Sequence, residues 1–375
     1  MINFNVPYLS ESELVNINET VKKLHFQGNG EFSKKAENYL SNLTGTTKIF
    51  LNASGTQALE MSGLLMGIQK DDEIIMPSYT FSSTANAFIM RGARIKFIDI
   101  HPEDMNMDEN QIEDAITTKT KAIVPVHYGG VSCNMDKLMR IAHEFDLKVI
   151  EDSAQCINSY YKDKHLGTIG DVGIFSFHET KNIQCGEGGA TLINNKAYYD
   201  KSEILIEKGT NRTRFVNGEI DHYTWVDIGS SFLVNEITAA FLYSQLKDID
   251  KVTKKRIDLW NYYYNAFSNI QELELAKIPD YAKPNGHIFY IKTKDNKTRE
   301  KLRLYLKKKG VDARTHFIPL HSSPYGLGHT QFIGEDKYTT TESNRLLRLP
   351  MHYFLEYSDI DYIKKVIIDF YKNHA

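Results

Sequence analysis

The sequence has few of the features that mark secreted or membrane-spanning proteins. It contains three cysteines in 375 residues, Cys133, Cys156 and Cys185, and no CxxC spacing, which argues against a disulfide framework and a structural zinc site. No apolar run approaches the roughly 18 residues that a membrane span needs, and the first residues lack the pattern of a signal peptide. These absences predict a protein of the reducing cytoplasm, without a bound metal.

An excess of charge of one sign is also missing. The chain has 45 Lys and Arg against 48 Asp and Glu, spread along its length, for a formal net charge of -3. Without a basic stripe or an acidic tail, neither a nucleic acid nor a membrane is expected as a partner. A chain of this length with 41% hydrophobic residues can bury the core of at least two domains. Small-molecule chemistry is therefore the expected function.

Short apolar segments alternate with helix-like segments through the first half of the chain. Several are continuously apolar, as strands buried on both faces are, so we predict an α/β fold with a mainly parallel sheet covered by helices. The predicted strands are KIFLNA (48–53), EIIMPSY (73–79), RIKFIDI (94–100), AIVPVHY (122–128), KVIEDSA (148–154), VGIFSFH (172–178) and ATLINN (190–195).

The chain ends have a different character. Ser10 and Glu13 have capping-box spacing, and they predict a scaffold helix over residues 10–24. Its apolar stripe is Leu14, Ile17, Val21 and Leu24. From about residue 245 a long charged helix leads into a smaller α+β segment, so we predict a large domain of residues 1–245 and a small C-terminal domain of residues 246–375.

Candidate site residues follow the predicted strands, because ligands of an open parallel sheet lie beyond the carboxyl ends of its strands. The first strand leads into Ser54, Gly55 and Thr56, a small-residue turn before a helix. Its free N–H groups and helix dipole suit a phosphate, although such residues also cap helices without any ligand. Tyr79 and Phe81 follow the second strand, where either ring could stack on a flat ligand or pack in the core.

Asp152 and Lys181 follow two later strands. A buried carboxylate needs a partner, either an arginine or a protonated heterocyclic nitrogen. A lysine against a pocket can lose its proton and attack a carbonyl, and the alternative is a solvated loop lysine. Together, a phosphate turn, an aromatic face, a carboxylate and an amine are the parts that hold pyridoxal 5'-phosphate (PLP).

The same segments resemble the DegT/StrS family of PLP-dependent nucleotide-sugar aminotransferases, which share the fold type I architecture of aspartate aminotransferase. The resemblance covers nearly the whole chain. It is carried by NASGTQAL, MPSYTFSSTANA, VIEDSAQ, FSFHETKN, GEGGATLIN and HFIPLHSSPYG. Within the family, three further segments resemble enzymes that act on a dTDP-linked sugar. They are EKGTNRTRF, YTWVDIGSSFL and TTTESNRLLRLPM.

This resemblance implies roles for individual residues. Lys181 is the catalytic residue, as Schiff-base partner and general acid and base, and Asp152 keeps the pyridine nitrogen of PLP protonated. Gln155 meets the ring hydroxyl and Phe81 stacks on the ring. The phosphate is expected to be held by Gly55, Thr56, Gln57 and Ser176.

The resemblance also implies a homodimer with active sites at the interface. Many members have an asparagine that reaches the partner's phosphate, and here Ser231 stands in its place. His316 and His321 resemble a segment near the sugar, with ordinary surface or core histidines as the alternative. Lys208 and Arg212 could pair with the diphosphate of the substrate, and solvated loop charges are the alternative for both.

The implied reaction moves the amino group of L-glutamate to a nucleotide-linked keto-deoxysugar, with pyridoxamine 5'-phosphate as the intermediate form. The substrate suggested is dTDP-4-keto-6-deoxy-D-glucose, with an amino sugar for surface polysaccharide as product. Amination at C3 or with other stereochemistry is an alternative. A PLP-dependent sugar dehydratase is another, but such relatives carry histidine where Lys181 stands. A non-catalytic nucleotide-sugar sensor is disfavoured by the intact set of Asp152, Gln155, Ser176 and Lys181.

Overall fold

The computed structural model describes residues 1–374, which form one large sheet covered by helices and two small sheets of three strands. The α-helices are α1 (Glu13–Lys23), α2 (Glu31–Thr44), α3 (Gly55–Leu65), α4 (Ser82–Ile89), α5 (Ile112–Ala115), α6 (Met135–Glu144), α7 (Tyr199–Ile206), α8 (Arg212–Val216), α9 (Glu236–Lys247), α10 (Ile249–Phe267), α11 (Asn296–Lys308), α12 (Gly326–His329), α13 (Thr339–Arg345) and α14 (Tyr357–His374). The strands are β1 (Lys48–Asn52), β2 (Glu73–Pro77), β3 (Arg94–Ile98), β4 (Thr120–Ile123), β5 (Lys148–Asp152), β6 (Tyr160–Tyr161), β7 (Lys164–His165), β8 (Val172–Ser176), β9 (Gly189–Ile193), β10 (Glu274–Leu275), β11 (Ala282–Lys283), β12 (Phe289–Lys292), β13 (Thr330–Phe332) and β14 (Leu346–Leu349).

The large sheet has eight strands in the order β1-β9-β8-β5-β4-β2-β3-β13. The six strands from β8 to β13 in this order run parallel to one another, and β9 is antiparallel to both of its neighbours. All seven predicted strands are present in this sheet. The prediction of an α/β fold with a mainly parallel sheet is therefore confirmed.

The register of β5 against β8 brings the two main candidate residues to one edge. Asp152, the last residue of β5, pairs with Ile174, so the carboxyl end of β8 and the loop to Lys181 extend just beyond it. The loop that precedes β8 can lie directly against this strand because Gly173 has no side chain. A Cβ added to Gly173 would lie 2.0 Å from the carbonyl oxygen of Gly167. The sheet thus places a carboxylate beside the loop that carries the lysine.

The C-terminal segment has a core of its own, which combines α10, α11, α14 and the sheet of β10, β12 and β14. It is also tied to the large sheet, because β13 pairs with β3. Asp99, just after β3, accepts hydrogen bonds from the backbone nitrogens of Tyr338 (2.9 Å) and Thr339 (2.7 Å) at the start of α13. The predicted boundary at residue 245 falls near the end of α9 and stays a prediction.

The predicted N-terminal helix is present, and it packs on the rest of the chain through its polar face. It starts at Glu13, three residues later than predicted, with Ser12 as its N-cap, and the Glu13 carboxylate accepts hydrogen bonds from Ser10 N (2.7 Å) and Ser10 Oγ (2.8 Å). Its apolar stripe, however, faces outward, with Leu14 72% and Leu24 78% exposed. The inward face is polar, since Glu13 and Thr20 are buried there. The stripe is therefore not part of the core of the single chain.

Within residues 1–374, no helix is both long enough and apolar enough to span a membrane.

Candidate active site

A cavity of about 670 Å³ opens beyond the carboxyl ends of the central strands of the large sheet. Its wall is completed by the small C-terminal segment and by residues near the N-terminus, including Phe4 and Arg348. Eight of the predicted site residues line this cavity. They are Gly55, Thr56, Phe81, Asp152, Gln155, Ser176, Lys181 and His316.

Lys181 lies in the loop after β8, with its backbone nitrogen donating to the carbonyl of His178 at 2.9 Å. Burial lowers the pKa of its ammonium group, the charge of Asp152 raises it, and the positive charge of Arg348 lowers it again. The net shift is downward. Because a lowered pKa increases the fraction of neutral amine, the side chain is suited to attack a carbonyl carbon.

Asp152 is a buried carboxylate held by neutral donors. Thr84 Oγ1 donates to Oδ2 at 2.7 Å, and the backbone nitrogen of Ala154 donates to Oδ1 at 3.2 Å. Burial raises the pKa of this carboxyl group, and the two hydrogen bonds lower it in part. Within residues 1–374 no cation forms an ion pair with Asp152. A positively charged ligand atom in the cavity would supply that partner.

The neighbouring Glu151 points to the other side of β5 and was missed in the sequence. It is fully buried and accepts hydrogen bonds from the backbone nitrogens of Gly167, Ile169 and Gly170 at 2.6 to 2.9 Å, and it pairs with His127 Nε2 at 3.1 Å. His127 lines the cavity, and its Nδ1 accepts from a backbone N–H, so Nε2 carries the hydrogen. The sequence feature that could have indicated Glu151 is the presence of a second acidic residue next to Asp152 in an otherwise apolar strand.

The phosphate turn is formed by the start of α3 against the end of β8. A Cβ on Gly55 would lie 2.8 Å from Cβ of Ser176, so only glycine allows this approach. Thr56 Oγ1 and Ser83 Oγ lie 2.8 Å apart, and both residues line the cavity together with Ser176. Ser83 was not predicted, although the hydroxyl-rich segment after β2 was the signal. Three hydroxyls and a helix N-terminus therefore meet in one place.

Gln57 is placed differently from its neighbours. Its backbone nitrogen donates to Ser54 Oγ at 3.1 Å and so caps α3, and it does not line the cavity. In the predicted contact, the same backbone N–H would have to serve both Ser54 Oγ and the phosphate. This contact stays a prediction.

Two predicted ring contacts lie at the cavity wall. The side chain of Phe81 is 60% exposed and directly precedes α4. Gln155 Oε1 accepts a hydrogen bond from the backbone nitrogen of Gly129 at 2.7 Å, which fixes its side chain. An exposed aromatic face in a cavity is suited to stacking on a flat ring.

The two predicted histidines have different surroundings. His316 lines the cavity, stacks on Phe317 with a centroid distance of 3.7 Å, and its Nδ1 lies 2.6 Å from the hydroxyl of Tyr128. Burial lowers its pKa well below the usual value, so the ring is neutral. His321 does not line the cavity. Its ring nitrogens lie 2.7 Å from Ser78 Oγ and 3.1 Å from Asp336, contacts that hold the loop.

The remaining predicted residues lie outside the cavity of their own chain. Glu207 pairs with Arg212 at 3.0 Å and lies 4.0 Å from Lys208 Nζ. Ser231 is exposed and forms a backbone bridge to the same glutamate. The structure therefore does not bring Lys208, Arg212 and Ser231 to the site of one chain, and their roles stay predictions.

Comparison with known proteins identifies the class of this molecule. Residues 7–367 match the DegT/DnrJ/EryC1/StrS aminotransferase family. The spore coat polysaccharide biosynthesis protein SpsC of Bacillus subtilis is 30% identical over 381 aligned positions, covering 98% of this chain and 97% of that protein. The GDP-perosamine synthase of Escherichia coli O157:H7 is 30% identical, with 98% of both chains covered.

A solved structure gives the same result. The DegT DnrJ EryC1 StrS aminotransferase from Brucella abortus is 27% identical, with a TM-score of 0.88 over 96% of this chain and 95% of that chain. The fold is thus that of the fold type I PLP-dependent aminotransferases. The chain belongs to the DegT/DnrJ/EryC1/StrS aminotransferase family, and it is a PLP-dependent sugar aminotransferase.

Proposed function

We propose that this enzyme moves the amino group of L-glutamate to the keto carbon of a nucleotide-linked keto-deoxysugar, alternating between its PLP and pyridoxamine 5'-phosphate forms. The observation that carries the proposal is the pairing in one cavity of Lys181, an amine with a lowered pKa, and Asp152, a buried carboxylate without an ion pair among the described residues. A reaction that forms a Schiff base and then shifts a proton needs both groups.

The residues present fit PLP. Asp152 would hold the protonated pyridine nitrogen, which supplies the missing cation, and Phe81 would stack on the ring. Ser176, Thr56 and the start of α3 would hold the phosphate, because backbone N–H groups at a helix N-terminus favour anions. When bound, PLP supplies a carbonyl carbon for the amine and a ring that accepts the electrons of the broken C–H bond.

Lys181 performs the proton transfer in this proposal. Its Nζ would accept the proton from the α-carbon of L-glutamate and would act as the general acid that gives the proton back. The same atom returns a proton to the sugar carbon in the second half of the reaction. The short loop after β8 suits this role because proton transfer requires the amine to be held close to both carbons.

For the sugar, we propose dTDP-4-keto-6-deoxy-D-glucose, giving dTDP-4-amino-4,6-dideoxy-D-galactose for a surface polysaccharide. Support comes from the resemblance carried by residues 207–215, 223–233 and 339–351. A GDP-linked sugar is the second candidate, since one relative is a GDP-perosamine synthase. We place the reaction in the cytoplasm, in keeping with three free thiols.

We further propose that the active unit is a homodimer. Large apolar side chains are exposed on α1, at Leu24 directly after it and in residues 212–231, with Leu24 78% and Trp225 77% exposed. The chain segments that follow the two regions are in contact, since a Cβ on Gly28 would lie 2.9 Å from Cβ of Leu233. Exposed apolar surface of this kind marks a protein interface, and Ser231 would then reach the partner's phosphate.

Light scattering after size exclusion is expected to give twice the mass of one chain. Leu24→Glu, placed in the exposed apolar surface, should shift the enzyme towards the monomer, whereas Leu304→Glu on the exposed side of α11 should not, although Leu304 is 52% exposed. A fully active monomer would contradict the proposed interface.

The first test of the proposed function uses L-glutamate without any sugar. We expect the visible absorption band of the PLP enzyme to be replaced by a near-ultraviolet band while 2-oxoglutarate is released in equal amount. Loss of amine transfer from L-glutamate with an intact visible band would contradict the donor. Nuclear magnetic resonance of the sugar product, formed from the dTDP-linked and the GDP-linked substrate in parallel, then distinguishes C4 from C3 amination.

A further inference from the structure

Arg348 is a largely buried cation that lines the cavity without a carboxylate partner. It lies in β14, where its backbone exchanges hydrogen bonds of 2.8 and 3.0 Å with Arg314, and this position is therefore rigid. The guanidinium donates to the carbonyl oxygen of Thr315 at 3.0 Å and lies 4.7 Å from the ring centre of Phe4. Among the described residues its Nε has no hydrogen-bond acceptor and no acid pairs with the group.

The other arginines at the cavity wall are compensated. Arg314 pairs with Asp312 at 2.7 Å and is well exposed. Arg256 is buried, but it donates to the carbonyl oxygens of Gly286 (3.1 Å), His287 (2.6 Å) and Met351 (3.1 Å). A guanidinium has five N–H donors, and the one hydrogen bond of the Arg348 guanidinium leaves most of them without a protein acceptor.

A cation buried in this way is costly unless an anion joins it. The fold keeps Arg348 in place through a strand and through Phe4, so its position is set before any ligand arrives. The cavity that it lines is also where Lys181 lies, and the charge of Arg348 contributes to lowering the pKa of Lys181 and of His316. The missing anion therefore belongs to a ligand group close to the reacting amine.

Four anionic groups would enter this cavity in the proposed reaction, namely the cofactor phosphate, the diphosphate of the nucleotide sugar, and the α- and γ-carboxylates of L-glutamate. The γ-carboxylate is separated from the reacting carbon by two methylene groups. The cofactor phosphate has its own place at Gly55 and Thr56. The diphosphate of the nucleotide sugar is attached at C1, across the sugar ring from a C4 keto carbon. The α-carboxylate of the donor is bonded directly to the carbon that carries the reacting nitrogen, and it is the anion nearest to Lys181.

We propose that Arg348 binds the α-carboxylate of L-glutamate through its terminal N–H groups, an inference that rests on the proposed function. A planar guanidinium matches a carboxylate with two parallel hydrogen bonds, and such a contact orients the α-hydrogen for Lys181. Arg348 is in this sense a donor-binding and positioning residue.

The test compares Arg348→Gln with wild type using two donors and one inert analogue. We expect the KM for L-glutamate in the first half-reaction to rise about 100-fold. With 4-aminobutyrate, which has no α-carboxylate, the rate should be the same in both proteins. The dissociation constant of α-methyl-L-glutamate, which has no α-hydrogen and reports binding alone, should rise by a similar factor. The second half-reaction, from the pyridoxamine form to the keto sugar, should be unchanged.

Matched variants separate the specific effect from a change in folding or charge. Arg314 lies over the same Phe4 ring, but its charge is already compensated by Asp312. We therefore expect Arg314→Gln to leave α-methyl-L-glutamate binding unchanged. If Arg348→Gln does not fold, Arg348→Lys tests the assignment instead. Lysine keeps the positive charge but cannot form the two parallel hydrogen bonds to a carboxylate. We expect Arg348→Lys to bind the analogue about 10-fold more weakly.

Several results would overturn the assignment. These are wild-type affinity for α-methyl-L-glutamate in both Arg348 variants, an equal loss with 4-aminobutyrate, or a loss confined to the sugar half-reaction. A wild-type enzyme that fails to convert L-glutamate would refute the proposed donor and this assignment together. If wild type converts L-glutamate and Arg348→Gln is equally active, only the assignment of Arg348 is refuted and the proposed donor stands.

Discussion

Lys181→Ala is expected to lower transamination from L-glutamate to the sugar by roughly 10⁴-fold or more, because one side chain supplies both the nucleophile and the proton transfer. Among the described residues, no second lysine lines the cavity. The variant should remain folded, since burial already lowers the pKa of the amine and its removal relieves a desolvated charge. The measurement is single-turnover absorbance with L-glutamate, alongside thermal unfolding.

Two comparisons make this result specific. Lys162→Ala removes an exposed lysine, 56% accessible and paired with Asp136, and should leave turnover unchanged. Millimolar methylamine should restore part of the activity of Lys181→Ala, because a small amine can diffuse into the vacated space and carry the proton. Turnover near the wild-type rate in Lys181→Ala would remove Lys181 from its proposed role.

The sequence could predict the main site because a parallel sheet collects strand ends at one edge. Asp152 and Lys181 each follow an apolar segment, and β5 and β8 are neighbours in the sheet. To predict that they lie close together, it was enough to recognise the strands as parallel, which their unbroken apolar sequences indicated. The same reasoning placed Thr56 and Phe81, which follow the first two strands.

Other residues of the site could not be predicted in this way. Thr84, which donates to Asp152, lies inside α4, where a threonine has no distinctive pattern. Arg348 is the charged residue of the otherwise apolar strand β14 in the small sheet, and it reaches the cavity only because the C-terminal segment packs against the large sheet. Such contacts depend on tertiary packing between parts of the chain that are far apart in sequence.

The N-terminal helix shows a further limit of periodicity. The sequence correctly identifies Leu14 and Leu24 as members of one apolar face. Such a pattern indicates that the face will be covered, but it does not indicate which surface will cover it. In the single chain the polar face packs inward instead, where Asn16 donates to Ser244 Oγ at 2.7 Å. An apolar face left in water is consistent with a partner subunit, and the homodimer proposal therefore places this face at the interface.

Asp152→Asn is expected to slow the glutamate half-reaction by roughly 10² to 10⁴-fold while PLP still binds. A neutral amide cannot keep the ring nitrogen protonated, and an unprotonated ring accepts electrons poorly when the α-hydrogen leaves. Thr84 can still donate to the amide oxygen, whereas the weaker hydrogen bond from the backbone nitrogen of Ala154 loses its acceptor. The measurement is the single-turnover rate with L-glutamate, with PLP affinity determined separately by absorbance titration.

Thr84→Val separates the charge of Asp152 from its hydrogen bonding. This variant removes the 2.7 Å hydrogen bond and keeps the carboxylate, so we expect a decrease of about 10-fold or less, from the loss of one hydrogen bond to a charged group. Asp163→Asn, on an exposed turn where that residue pairs with Lys283, should have no effect. If Asp152→Asn reacts as fast as Thr84→Val, the negative charge is not what the ring requires. Asp152 would then need a different role. Glu151 could not replace it at the ring nitrogen, because Glu151 is held on the other side of β5 by its backbone donors and by His127.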